Sequence, residues 1–295
     1  MGILEEIKQS YRQGGVLTKL IYINIGVFIT IRLLQVFFSF SSGSANIQDY
    51  PVLEWFSVPA SPMALLYKPW TVLTYMFLHY EFLHILFNML YLYWFGRIFL
   101  EFLNPRQLFG VYILGGLSGV VFYLVSYNLI PVLQAQSSNA ILMGASGSVM
   151  AILFAIAKYA PNHKIHLMFF GAVPLKYIAL FALIIDLISI PALSNTGGHV
   201  THIGGAAFGY FYGSSITRGQ DTTAGFNRIM DRWASIFKPK SKLKVTHRRP
   251  ITDLEYNKKK VSKQKEVDRV LDKIKASGYD SLTKEEKQTL FDASK

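Results

Sequence analysis

Two short motifs carry residues able to break an acyl bond. Gly144-Ala145-Ser146-Gly147 heads an apolar segment running from Val149 to Ala157. Fifty-six residues after Ser146 stands His202, within His199-Val200-Thr201-His202-Ile203-Gly204-Gly205, at the head of another. A serine hydroxyl attacks a carbonyl only when a base removes its proton and hydrogen-bond donors receive the resulting oxyanion. His202 is a base of the right type. The small neighbours of Ser146 leave its backbone N–H and Oγ open to close approach, and a place at a helix N-terminus adds free N–H groups and a favourable dipole end. His84 and Asn88, spaced i, i+4, share one helix face from which both could donate to that oxyanion.

Each cluster also has a plainer explanation. Small residues let membrane helices approach closely, so Gly147, with Ala151 and Ala155 at steps of four, reads as a packing stripe. Gly205, Gly209 and Gly213 form a matching stripe after His202. Pressed together, the two stripes would bring Ser146 and His202 to one place; otherwise His202 merely caps a tightly packed helix. His84 and Asn88 alone read equally well as an interhelical polar pair. What separates the readings is the depth at which the surrounding elements hold all three clusters.

Those elements are membrane spans. The chain has 295 residues, 51% of them hydrophobic, and a net charge of +12. Residues 1–216 carry ten Lys/Arg against seven Asp/Glu, residues 217–295 twenty against eleven, so an apolar body precedes a hydrophilic, basic tail. There is no cysteine, which excludes disulfides, thiolate nucleophiles and thiolate metal sites. The first apolar run, about 20–40, is too long for a signal peptide and reads as a retained anchor. Six segments are predicted to span: 18–40, 80–101, 107–128, 145–159, 175–192 and 200–217, the fourth and sixth short and rich in small residues. Residues 165–174 are apolar up to Pro174 and read as interfacial or as an extension of the fifth span. Lys and Arg flank the first span and fill the second-to-third and fourth-to-fifth connections, which puts both termini in the cytosol. Arg32, inside the first span, snorkels or faces the bundle. Spans two, four and six then all begin at the outer face, and His79, His84, Asn88, Ser146 and His202 share one layer.

The three motifs Gly144-Ala145-Ser146-Gly147, His84-Ile85-Leu86-Phe87-Asn88 and His202-Ile203-Gly204-Gly205 together resemble the signature of the rhomboid intramembrane serine proteases, over about residues 15–217. The resemblance implies an all-α polytopic membrane protein, a six-transmembrane-helix bundle of the bacterial form, with a lateral gate at the fifth helix. It implies a dyad without a carboxylate, Ser146 as nucleophile and His202 as general base and acid, and an oxyanion hole of His84, Asn88 and the Ser146 amide. No cofactor or metal is implied, and the substrates are single-span membrane proteins cut near their outer ends. Met150 stands where some relatives place an aromatic ring on the catalytic histidine, and a thioether packs there too. The Trp-Arg pair of some relatives is missing from 41–70, which instead holds Trp55 and Trp70 as interfacial anchors.

Asp186 lies alone in the apolar fifth span and reads as a structural hydrogen-bond partner or as a triad member. His199 reads as structural, and His79 as ordering the loop before the second span. Arg97 and Glu101 read as a helix-end ion pair. A zinc protease would need His-Glu-x-x-His, and the spacing from His79 to His84 is wrong; an aspartyl protease would need a second membrane carboxylate. The rival that survives is a non-catalytic rhomboid-like protein that binds membrane helices.

The chain is therefore divided into an N-terminal cytosolic segment 1–17, a membrane domain 18–217, a basic linker 218–260 and a cytosolic helical hairpin 261–295. Lys238 to Arg249 and Lys258-Lys259-Lys260 suit anionic lipid beside the bilayer, with no nucleic acid expected. The hairpin is predicted as Val261 to Ala276, stopped by Gly278, and Lys284 to Ala293, opened by a Thr283/Glu286 capping box. Gln134 to Asn139, before the fourth span, are polar enough to line a water path to Ser146. The membrane expected for the whole is the bacterial inner membrane.

Overall fold

Helix follows helix from Ile3 to Phe237 in the computed structural model, which describes residues 3–42, 51–138, 140–167, 171–192, 195–237 and 252–293. The chain divides into two units, Met1–Lys238 and Pro239–Lys295. In the first, α1 (Ile3–Gln13) and α2 (Val16–Ser42) precede three short helices, α3 (Pro51–Phe56), α4 (Pro62–Tyr67) and α5 (Thr71–Thr74). Then come α6 (Phe82–Phe102), α7 (Pro105–Leu129), the single turn α8 (Pro131–Gln134), α9 (Ser146–Tyr159), α10 (Leu175–Ser189), α11 (Thr196–Ile216) and α12 (Ala224–Phe237).

Local chemistry sets several of these boundaries. At the start of α7 the Asn104 side chain accepts from the Gln107 N–H and the Gln107 side chain accepts from the Asn104 N–H, both at 3.0 Å, with Pro105 in the first turn. Before α9, Gly144 takes φ +122° and turns the chain into the helix. A two-residue ladder ties this approach down: β1 (Val58–Pro59) pairs antiparallel with β2 (Ile141–Leu142), Val58 opposite Leu142.

Among the described residues four helices are long and apolar enough to cross a membrane: Val16–Phe40, Phe82–Phe102, Pro105–Leu129 and Leu175–Ala192. The protein is an integral membrane protein built as a helical bundle. The expected fourth span, α9, has only 14 residues, fewer than the ~20 a lone span requires. The expected sixth, α11, interrupts its length with His199, Thr201, His202 and a run of glycines. Both are interior elements: α9 packs against α6, α7, α10 and α11 and is buried on every face from Gly147 to Leu153.

The α9–α11 seam is a backbone contact. A Cβ on Gly205 would overlap the carbonyl of Gly147, one on Gly209 the carbonyl of Ala151, and one on Gly213 would lie 2.6 Å from the carbonyl oxygen of Ala155. Gly115 of α7 meets the Ala151 methyl in the same way.

Several expectations are corrected. Residues 165–174 do not extend the fifth span as helix; β3 (Lys164–Leu167) and β4 (Gly171–Pro174) pair antiparallel, and Pro174 opens α10. The expected ion pair of Arg97 with Glu101 does not form among the described residues: Arg97 donates to the Tyr93 hydroxyl at 3.0 Å, on the preceding turn. Arg32, by contrast, faces the bundle, one of the two alternatives expected: its guanidinium is 4.4 Å from the Tyr80 ring centroid, and it donates to Gln35 at 2.7 Å. The expected linker 218–260 is not linker throughout. It contains α12, held by the Phe109–Phe226 ring stack and by an Arg106–Asp231 ion pair at 3.6 Å.

In the second unit, α13 (Asp253–Ser277) starts eight residues before the expected Val261, because Thr252 and Glu255 form a capping box. Gly278 at φ +78° ends it, and the Thr283/Glu286 box opens α14 (Lys284–Ala293). Val270 and Leu282 are buried in this hairpin. Lys238 to Arg249 lie outside the described residues, while Lys258, Lys259 and Lys260 are exposed on α13.

Candidate active site

Ser146 is the first residue of α9, so its N–H and those of Gly147 and Ser148 fall within the first turn, where no intrahelical acceptor exists. The residues before it are pinned by the segment preceding α6. The Gly144 N–H donates to the Tyr75 carbonyl at 2.9 Å and the Ala145 N–H to His79 Nε2 at 3.2 Å. His79 is fully buried, and burial with the adjacent His84 ring holds it neutral, its pKa pushed down to about 3. It therefore serves as an acceptor that orders the serine loop.

His84 lies on the first turn of α6, its ring 5.1 Å from that of His79. It also lies against Gly144: a Cβ there would come 2.8 Å from His84 Cε1, 2.9 Å from His84 Nε2 and 3.9 Å from Ser146 Oγ. Glycine is required here twice over, by the positive φ and by the imidazole. One turn along, buried Asn88 donates to the His84 carbonyl at 2.9 Å, which leaves its second amide hydrogen for another acceptor.

His202 is on the second turn of α11, between Thr201, which is buried against Gly147 and Gly119, and the glycine stripe. Its Nδ1 is 2.8 Å from Asp186 Oδ1 on α10, and His199 Nδ1 is 2.8 Å from the same oxygen. This contact was not legible in the sequence. The signal was the lone carboxylate in the fifth span and two histidines three apart on one helix face. Asp186, His199 and His202 each offer one ligand atom within 4.8 Å of one another, a spacing open to a metal ion, yet as they stand the 2.8 Å separations are hydrogen bonds.

All five residues of the expected layer except His79 border one open cleft of about 1290 Å³. His84, Asn88, Ser146, Asp186 and His202 form its polar end, with Gln136 and Ser138 of the preceding loop; Asn139 lies outside the described residues. Glu81, Asn195 and Thr196 also line it, and an apolar part lies between α6, through Phe87, Tyr91 and Phe95, and α10, through Ile178, Phe181 and Ile185. Met150 lines it as well. Among the described residues no hydrogen bond joins Ser146 to His202; both line the cleft. Trp55 and Trp70 stack 5.8 Å apart away from the cleft, with Trp70 donating to the Trp55 carbonyl at 2.8 Å.

Comparison with known proteins places names beside this geometry. The rhomboid domain family matches residues 67–219, and a family of unknown function, DUF6576, matches residues 252–295. RHOMBOID-like protein 12, mitochondrial, of Arabidopsis thaliana is 29% identical over 158 residues, 51% of this chain and 47% of that protein. Presenilin-associated rhomboid-like protein A, mitochondrial, of Danio rerio is 29% identical over 138 residues, 46% of this chain and 34% of that protein. Rhomboid protease GlpG of Salmonella newport is 30% identical over 98 residues, 28% of this chain and 35% of that protein. The chain thus spans less than half the length of each of these relatives.

Proposed function

The chain belongs to the rhomboid family, and from that premise we propose that it is an intramembrane serine endopeptidase that cleaves single-span membrane proteins. The observation that carries the reading is the cleft: a serine at the N-terminus of a helix and a histidine line one open groove that α6 and α10 border with apolar side chains. Ser146 Oγ attacks the scissile carbonyl and gives its proton to His202 Nε2. The oxyanion is held by the Ser146 N–H, the His84 ring and the free amide hydrogen of Asn88. His202 then protonates the leaving amine, and a water entering past Gln136 and Ser138 releases the acyl group by the same steps in reverse. The open Ser146–His202 pair closes when substrate fills the cleft, as catalytic hydrogen bonds commonly do.

In this reading α9 and α11 complete a six-span bundle from inside, sheltered by the four more apolar helices. Substrate helices enter between α6 and α10, both termini face the cytosol of a bacterial inner membrane, and the basic stretch after α12 contacts anionic lipid. No cofactor takes part. A second reading, a non-catalytic helix-binding protein, is favoured by one observation, the absence of a Ser146–His202 hydrogen bond among the described residues. Reconstitution in liposomes with a single-span substrate separates the two. Wild type should cleave and should label with a fluorophosphonate, while Ser146→Ala and His202→Ala should do neither. Binding of the substrate without cleavage or labelling by wild type would establish the second reading.

A further inference from the structure

Asp186 is 6% exposed and is one of three buried residues on α10, with Leu175 and Ala179. A carboxylate in such a place is costly unless its oxygens are paired. Here one oxygen meets two imidazole nitrogens at 2.8 Å. A carboxylate accepts and does not donate, so each Nδ1 carries the hydrogen of its bond. With Nδ1–H committed to Asp186, the neutral His202 ring is held in the tautomer whose lone pair is on Nε2, the nitrogen required to take the Ser146 proton. His199 Nδ1, from one turn earlier on α11, donates to the same oxygen, so the carboxylate is held by two bonds rather than one.

Resting on the protease reading above, we propose that Asp186 is a positioning residue for catalysis: it orients His202, fixes its tautomer and stabilises the imidazolium formed when Ser146 gives up its proton. The catalytic set is then Ser146, His202 and Asp186 on three different helices, α9, α11 and α10, rather than a dyad without a carboxylate. No additional reactant is needed. One proton passes from Ser146 Oγ to His202 Nε2 and on to the leaving amine, while Asp186 remains ionised throughout, as the third member of a serine–histidine–aspartate set does in general.

The test compares wild type with Asp186→Asn, Asp186→Glu and His199→Gln, each as the full chain in liposomes with one single-span substrate. Asp186→Asn should lower kcat by about a hundredfold to ten-thousandfold with KM little changed, because the amide can donate to Nδ1 and favour the wrong tautomer. Asp186→Glu, which keeps the carboxylate, should recover part of the loss, and His199→Gln, which removes one of the two imidazole bonds to that oxygen and leaves the other, should lower kcat less than Asp186→Asn does. Nitrogen-15 spectra of the histidines give a readout that needs no turnover: His202 should carry its proton on Nδ1 in wild type and redistribute it in Asp186→Asn. A kcat for Asp186→Asn within threefold of wild type overturns the proposal. So does a loss of kcat that accompanies a fall in melting temperature and is not recovered by Asp186→Glu, since that is a structural role. If wild type neither cleaves nor labels, the protease reading fails, and an unprotonated His202 Nδ1 separately refutes the hydrogen bond on which the positioning rests.

Discussion

The two walls of the cleft are held in opposite ways. On one side, α9 buries ten of its fourteen residues and meets α11 backbone to backbone at Gly205, Gly209 and Gly213, so nothing there can shift without collision. On the other, α10 buries three of fifteen and turns Leu180, Phe181, Ile184, Ile185, Leu187 and Ile188 outward. Lipid tails are as apolar as those side chains, so their burial does little to hold α10 to the bundle; close packing and polar contacts must do so. The deepest polar contact on α10 is Asp186. One wall thus holds Ser146 and His202 on helices locked backbone to backbone, and the other offers an apolar surface secured at a polar point.

Widening the tight wall should have the largest effect. Gly209 is nearly two turns from His202, so Gly209→Leu tests the seam rather than the chemistry. It must drive α9 from α11, lowering stability by about 3 kcal/mol or more and abolishing cleavage. Gly209→Ala should cost about 1–3 kcal/mol and slow cleavage about a hundredfold, since a 1 Å misplacement of the reacting groups has that effect. Thermal unfolding in detergent and cleavage in liposomes measure both. Wild-type behaviour of Gly209→Leu would dissolve the contrast between the walls.

Gly144→Ala attacks the same wall at its head. An alanine at φ +122° is strained by about 1–3 kcal/mol, and its methyl meets the His84 ring. Cleavage should fall by about a hundredfold through displaced oxyanion donors, with KM nearly unchanged. A rise in KM alone would assign Gly144 to substrate binding instead. Phe181→Ala probes the loose wall. This residue is 66% exposed and lines the cleft, so stability should change by no more than about 0.5 kcal/mol and cleavage should persist. A tenfold loss would show that α10 positions the substrate rather than merely bordering it.

These walls differ in how far the sequence discloses them. The tight seam was legible because its signal is local: small residues at steps of four on two segments, Gly147/Ala151/Ala155 and Gly205/Gly209/Gly213, each implying a face. The shared layer of His84, Asn88, Ser146 and His202 followed from span directions set by Lys and Arg. Asp186 was visible as an anomaly, but its partners were not, because nothing local says which face of the fifth span meets the sixth. The β3–β4 hairpin was lost for a different reason: Lys164 to Pro174 is apolar in a chain where apolar runs are helices, and only four residues of strand form on each side. Arg97 had both Glu101 and Tyr93 within one turn, and spacing alone cannot choose between a carboxylate and a phenol. The Thr252/Glu255 capping box was readable and lay hidden in a run taken as linker for its charge.

The smallest effect is expected in the second unit, where a helix pair is joined by polar contacts in water rather than by either kind of membrane wall. Lys273 Nζ donates to both carboxylate oxygens of Glu286, at 2.8 and 3.0 Å, and Glu286 accepts from the Thr283 N–H at 2.9 Å. The Lys273 bond first, and then the Thr283 amide, lower the Glu286 pKa from 4.5 to about 2. A depressed folded-state pKa means that the stabilisation is fully present above the unfolded value of 4.5 and is lost as pH falls through about 2. Amide hydrogen exchange along α13 and α14 should therefore lose protection gradually across that window in wild type and stay flat in Glu286→Gln. Raising the salt concentration should shrink the wild-type slope, because an ion pair this accessible to water is screened. Equal slopes in the two proteins would mean that the Thr283 cap and the Lys273 pair do not hold the hairpin, and that Val270 and Leu282 carry it alone.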